Sequence, residues 1–168
     1  ANNFGNLCQR VFSLIEKNCS GKLPKYKKLE EIDLNLINHL INKVEELVAD
    51  IDKQDLNNYI KKVVEFLFSA NKYFNDLEPW ALKKNDPPRM QAVLYVLAEC
   101  IRCLGLAIQP FVPSAAEKLL DQLKIPADQR SFAHITADYA IKGGVEIDKP
   151  EGVFPRIERS EAKEGQAA

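Results

Sequence analysis

The chain holds one tryptophan, one methionine and two histidines in 168 residues. His39 reads as a partly exposed helix residue, and His134 lies in the tail. The residue three before His39 is Leu36, so the Glu-x-x-His pattern of carboxylate-bridged metal bundles is missing. Neither G-x-x-x-x-G-K-[ST] nor G-x-G-x-x-G occurs, which removes the two commonest phosphate-cradling turns. No apolar run approaches the roughly 18 residues that span a bilayer. The opening Ala1-Asn2-Asn3-Phe4-Gly5 lacks the basic start and apolar stretch of a secretory signal, so a cytoplasmic location is the expectation. Neither sign of charge is in excess: 23 Lys and Arg face 24 Asp and Glu, for a net charge of -1. That balance argues against a protein that coats nucleic acid non-specifically. It leaves room for a small, shaped nucleic-acid site, because the distribution of charge matters more than its sum. The chain also begins without Met, in residues that already read as helix, as expected of a piece of a longer protein.

What is present is an ordinary globular composition, 46% apolar and 28% charged, at a length that suits one domain with an appended tail. Four cysteines occur: Cys8, Cys19, Cys100 and Cys103. The last two form a C-x-x-C, which reads either as half a zinc site or redox pair, or as two small buried thiols. The second reading is preferred. The pair lies inside an apolar helical pattern, Leu97 to Leu104, and no second pair completes four ligands.

Hydrophobic periodicity predicts an all-α chain of about five helices. The first covers residues 2–18, with Leu7, Val11, Leu14 and Ile15 as its apolar stripe. Gly21 and Pro24 end it in a basic loop containing Lys22, Lys25, Lys27 and Lys28. The second covers 29–51, burying Leu36, Ile37, Leu40, Ile41, Val44, Leu47, Val48 and Ile51. The third covers 54–74, with Tyr59, Ile60, Val63, Val64, Leu67 and Ala70 inward. A link at 77–82 follows, because Pro79 disfavours helix at Glu78. Asp86 as N-cap and Pro87 at the first helical position start a fourth helix, reaching about residue 109. Pro110 stops it, and a short fifth covers about 113–123. The bundle is thus assigned to residues 1–124 and an extension to 125–159, with short extended pieces at 145–147 and 153–154. Residues 160–168 are expected to be disordered. The many Asp and Glu residues read as solvated helix faces.

Two local features carry possible chemistry. Asn6 and Arg10 stand one helical turn apart, opposite the apolar stripe. An amide and a guanidinium on one face can read base edges, and can equally be a solvated pair. Trp80 follows Pro79 in a helix–helix link. It is either a stacking platform for an unpaired base or a plug at the end of the bundle.

Several segments resemble a known family. Asn6-Leu7-Cys8-Gln9-Arg10 is similar to the Asn-Leu-x-x-Arg that opens the anticodon-binding bundle of bacterial-type methionyl-tRNA synthetases. Ala70-Asn71-Lys72-Tyr73-Phe74 and Glu78-Pro79-Trp80-Ala81-Leu82 resemble that family's A-N-x-Y and P-W segments. Pro110-Phe111-Val112-Pro113 and the closing Val153-Phe154-Pro155-Arg156-Ile157 are similar to its later landmarks. The resemblance runs from Asn2 to about Glu158.

The resemblance implies the helical anticodon-binding fold of class I aminoacyl-tRNA synthetases, with the CAU anticodon loop of methionine tRNAs as ligand. Trp80 would stack on the first anticodon base, Pro79 would hold its turn, and Asn6 and Arg10 would make polar contacts to the bases. The remaining partner would be the enzyme's own catalytic domain, against which the segment 153–157 would pack. No membrane and no DNA are expected, and the oligomeric state is expected to be monomeric. No catalytic residue, metal or cofactor is assigned within the chain. ATP, with zinc as an open second, belongs to the full-length enzyme, since neither H-x-G-H nor a K-M-S-K-S-like loop is found. A helical protein-interaction domain without a nucleic-acid role is the alternative, in which Trp80 would be buried. The anticodon bundle of another class I synthetase is a third reading. On its own the chain is expected to catalyse no methionine-dependent ATP–pyrophosphate exchange, and exchange by the pure polypeptide would contradict the reading.

Overall fold

The computed structural model describes residues 2–154, which form seven α-helices and three short 3-10 turns. Among the described residues there is no strand, only an antiparallel bridge between Lys22 and Glu146. The all-α plan holds, with more breaks than the periodicity indicates.

Helix α1 (Asn2–Cys19) buries Leu7, Val11 and Ile15 as expected, with Leu14 at the edge of the stripe. It ends where Ser20 and Gly21 take positive φ values of 54° and 68°. The predicted helix at 29–51 is two helices, α2 (Glu31–Ile41) and α3 (Val44–Asp52). Between them the Lys43 N–H bonds back three residues to the Leu40 carbonyl, at 3.0 Å. Such tightening at a polar pair, Asn42-Lys43, redirects the chain. It also leaves Val48, expected inside, 37% exposed.

Helix α4 (Leu56–Leu77) starts at Asp55, whose carboxylate accepts from the Asn58 N–H at 3.1 Å. Apolar side chains surround much of this helix, so periodicity alone allows two overlapping stripes. Packing selects Tyr59, Val63, Phe66, Ala70, Tyr73 and Phe74, and leaves Ile60 and Val64, expected inward, exposed. The link at 77–82 proves to be one residue wide. Glu78 adopts left-handed φ 43° and ψ 58°, and α5 (Pro79–Asn85) begins directly after it. Proline suits the first position of a helix while excluding helix from the residue before it, so the break collapses onto Glu78. Asp86 caps α6 (Pro87–Ile108) through the Arg89 N–H, 3.0 Å away, and α7 (Pro113–Gln122) follows Pro110.

Helix α6 is the core. Every residue from Ala92 to Ala107 is buried, and α1, α2, α4, α5 and α7 all pack on it. It is long enough to cross a bilayer, and its most apolar stretch has a mean hydropathy of 1.7, although Glu99 and Arg102 interrupt the apolar run. Here that stretch lies inside the protein, with 89% of it buried. Cys100 and Cys103 are the buried thiols expected, and burial raises both well above the ordinary cysteine value, away from reactive thiolate.

The reading of acidic residues as solvated fails at three positions. Asp33, Asp50 and Glu99 are buried, because each meets a cation placed by tertiary structure or by the helix turn. Glu99 and Arg102, each 1% exposed, pair at 2.6 Å across one turn of α6. Arg102 donates to the His134 carbonyl at 2.7 Å, and Glu99 accepts from the Ile141 N–H at 3.0 Å. The Tyr95 hydroxyl donates to the Ile141 carbonyl at 2.9 Å. These bonds hold the irregular segment 125–154 on the bundle, where Ile135, Ile141, Ile147 and Val153 are buried. Glu146 lies in the bridge to Lys22, whereas Val153-Phe154 form a bend with Phe154 against Phe4, ring centroids 6.2 Å apart. Pro155-Arg156-Ile157 and the residues expected to be disordered lie outside the described residues.

Removing one partner of a buried ion pair strands the other. Arg102→Met is expected to cost about 3–5 kcal/mol in urea denaturation. Adding Glu99→Met should recover only part of that, because the Ile141 N–H and the His134 carbonyl then lack partners. Full recovery would show that the anchoring of the extension contributes nothing.

Candidate functional site

The two features read separately from the sequence meet in space at one point. Arg10 is exposed on α1, opposite the buried stripe, and its guanidinium carbon lies 4.2 Å from the centroid of the Phe74 ring. The same carbon is 5.6 Å from the Trp80 ring. Phe74 and Trp80 pack with centroids 5.3 Å apart and planes inclined at 50°. Both distances from Arg10 fall within the range of cation–π attraction.

Local rules of the chain explain how the tryptophan arrives there. Helix α4 carries Phe74 to its C-terminal end, and the left-handed Glu78 turns the backbone sharply. Pro79, buried at the first position of α5, fixes the new direction, so Trp80 stands on the first turn of that helix. A non-glycine residue in left-handed backbone costs on the order of 1 kcal/mol, which the surrounding packing must offset.

Trp80 is 42% exposed. One side of it is seated on Phe74 and the rest reaches solvent, so it does not plug the bundle. Gln9, Arg10, Ser13, Leu14, Phe74 and Trp80 together line an open pocket of about 320 Å³. Of the four residues singled out in the sequence, Arg10 and Trp80 are therefore brought together, while Pro79 precedes Trp80 in the chain and is buried outside the pocket wall. Asn6 is exposed one turn before Arg10 on α1, beside the pocket but not in its wall. Phe74, Gln9 and Ser13 were not picked out as site residues. Phe74 and Trp80 are six positions apart across a helix break, where periodicity carries no information. Gln9 and Ser13, four apart like Asn6 and Arg10, could have been read as a second polar row on α1.

The electrostatics are simple. Among the described residues no carboxylate pairs with Arg10. Its guanidinium keeps its donors available while its flat face rests on aromatic carbon. Lys83 and Lys84, both exposed, end α5. No group of three or more His, Cys, Asp or Glu side chains among the described residues could hold a metal ion. His39 packs edge-on against Phe66 at 5.7 Å and His134 bonds Ser131 at 2.8 Å, so both have structural roles. An aromatic platform beside a guanidinium fork suits a planar, hydrogen-bonding ligand such as an unpaired base.

The comparisons with known proteins agree with one another. Residues 23–167 match the family model described as the anticodon binding domain of methionyl tRNA ligase. That match begins after α1, so it does not include Asn6 or Arg10. The methionine–tRNA ligase of Brucella suis is 44% identical over 156 residues, covering 93% of the chain and 30% of the relative. That of Mesorhizobium japonicum is 40% identical, with the same coverage of both. The chain thus spans about 30% of the length of these relatives. Among solved structures, the free form of Mycobacterium tuberculosis methionyl-tRNA synthetase is similar with a TM-score of 0.88 at 34% identity, over 95% of the chain and 32% of that protein. The form of that enzyme bound by methionyl-adenylate has a TM-score of 0.87, also at 34% identity, over 92% of the chain and 31% of that protein.

Because Trp80 is the only tryptophan, its fluorescence reports this site alone. Relative to a free tryptophan derivative, the ratio of iodide to caesium quenching is expected to be raised, since Arg10 draws anions to the ring, and Arg10→Ala should lower that ratio. A ratio equal to that of the free derivative in the unaltered protein would mean that the guanidinium does not rest over the aromatic pair in solution.

Proposed function

The chain belongs to the family of methionyl-tRNA ligase anticodon-binding domains, and from that premise we propose that the Arg10–Phe74–Trp80 face receives the CAU anticodon of methionine tRNAs. The observation that carries the reading is the half-exposed Trp80 ring, packed against Phe74, beside the guanidinium of Arg10. Anticodon bases are single-stranded and can be splayed out, so stacking together with edge hydrogen bonds is the expected mode of recognition. Cytosine, the first base, would lie on the open face of Trp80. Arg10, and Asn6 one turn away, would supply donors and an amide to the edges of neighbouring bases. Pro79 would act through the direction it gives α5. Few phosphates need neutralising in this arrangement, which suits a chain of net charge -1.

The activity of the longer ligase belongs to the same proposal. It would activate methionine with ATP and attach it to tRNA in the cytoplasm. The present residues would select the tRNA, while the catalytic chemistry and its cofactors would reside in the part of the relatives' length that this chain does not span.

A titration with CAU anticodon stem-loops separates the roles. Arg10→Ala and Trp80→Ala are each expected to weaken binding by about 1–3 kcal/mol. For a loop whose first base is replaced, the losses should be much smaller. Equal losses on both loops would make Arg10 a backbone contact, and an unchanged affinity for Trp80→Ala would remove the stacking role.

A further inference from the structure

A helix of seven residues has little stability of its own, so the placement of Trp80 depends on whatever holds the two ends of α5. Helix α4 delivers one end, with Tyr73 in its last turns and Glu78 at the break. The other passes through Asp86 into α6, where Arg89 is the residue whose N–H that cap receives. Tyr73 and Arg89 are joined through a single carboxylate on a third helix. Asp33 of α2, with no exposed surface, accepts from the Tyr73 hydroxyl at 2.5 Å and from Arg89 Nη1 and Nη2 at 2.6 and 2.8 Å. The Glu30 N–H adds a fourth bond at 2.9 Å, and the Glu30 carboxylate lies 3.3 Å from Arg89.

The arrangement is a closed frame. The frame runs from Tyr73 through Asp33 to Arg89, and α5 is the arm strung between its two sides. None of the three residues lines the Trp80 pocket. Tyr73 is nonetheless the neighbour in sequence of Phe74, on which Trp80 is seated. A bidentate carboxylate–guanidinium pair fixes angle as well as distance. A change in the frame would therefore rotate the end of α4 against the start of α6 and move both rings of the platform.

We propose that Asp33, Tyr73 and Arg89 are positioning residues for Trp80, setting the orientation of its stacking face and with it the discrimination of the first anticodon base, although none of them contacts the RNA. This rests on the anticodon reading of the site. The conservative variants that test it are Tyr73→Phe, which removes one hydroxyl, and Arg89→Lys, which keeps the charge and loses the fork. Asp33→Asn is the harsher change. It leaves buried donors around a weaker acceptor and is used only if it folds.

Each variant of the chain is followed by thermal unfolding, by acrylamide quenching of Trp80 without RNA, and by titration with the CAU stem-loop and with a loop altered at the first base. All binding is measured well below the melting transition. Tyr73→Phe and Arg89→Lys are expected to remain folded and to show altered Trp80 quenching. Their affinity for the CAU loop should fall about fivefold to tenfold, a part of what one base stack supplies, and that for the altered loop by less than about twofold. A lower melting temperature with unchanged quenching and unchanged affinities would make the cluster merely structural and overturn the proposal. So would equal losses on both loops. If Trp80→Ala leaves CAU affinity untouched, the anticodon reading itself has failed. In that case the RNA-free quenching still decides whether the frame places the ring.

Discussion

A helix buried around its whole circumference can carry charge only where that charge is answered from within the protein. Helix α6 is such a helix, and the Glu99–Arg102 pair is the answer. An isolated arginine in the middle of the core would cost several kcal/mol. Here the fork binds Glu99 on one side and the carbonyls of the following irregular segment on the other, while Glu99 takes the Ile141 N–H. The polar groups of α6 are satisfied by the segment 125–154, and that segment, which has no regular ladder of its own, is satisfied by α6. Core and extension are thus mutually dependent, and both follow from two charges placed three residues apart in an otherwise apolar helix.

The candidate site occupies the rim of this core. Helices α1 and α4 both pack on α6, and the exposed Arg10 of α1 reaches over the buried Phe74 ring of α4. The helix break at Glu78 brings α5 across the gap and sets Trp80 against Phe74. A second buried polar cluster, Asp33 with Tyr73 and Arg89, joins α2 to α4 and α6. Burial alone would raise the Asp33 carboxyl, but hydrogen bonds from Arg89 and Tyr73 outweigh it and hold it below its ordinary value. It therefore stays ionised, as its bidentate pair with Arg89 requires. The two buried clusters divide the work between them: one holds the extension on the bundle, the other ties α2 to the two helices that flank α5.

How much of this was legible in the sequence follows from which interactions are local. Proline and cap chemistry act within a few residues, so the break at Glu78, the restart at Asp86-Pro87 and the stop at Pro110 could all be read directly. The stripe on α1 was legible because that helix has a single apolar face. On α4 two apolar stripes overlap, and only packing chooses the one containing Phe66 over the one containing Ile60 and Val64. The division of α2 from α3 was hidden because Asn42-Lys43 is a weak break that the apolar pattern runs through. Buried charge was the largest omission. Asp33 and Arg89 are 56 residues apart, and no spacing rule reaches that far. Glu99 and Arg102 stand at the i,i+3 distance, yet the same spacing on any surface helix would mean a solvated pair. The site shows the same division. Arg10 and Trp80 were legible as residues of interest, whereas Phe74, which joins them, was not, because its role exists only once α5 has folded back.

The exposure of Trp80 is itself informative about energetics. Burying the whole ring would strengthen the fold. The chain instead seats one side of the ring on Phe74 and leaves 42% of the residue's surface in water. Such a ring has already lost most of its rotamer freedom, so a planar ligand arriving on its open side would pay little for ordering the side chain. Arg10 is placed in the same way, its guanidinium carbon over the Phe74 ring and, among the described residues, no carboxylate paired with it. A fully solvated arginine would have to give up rotamers and hydration together on binding. On the proposed reading, the packing of both residues against Phe74 is what allows a near-neutral protein to bind RNA at one compact spot, because affinity then comes from preorganised stacking and directed donors and not from an excess of positive charge.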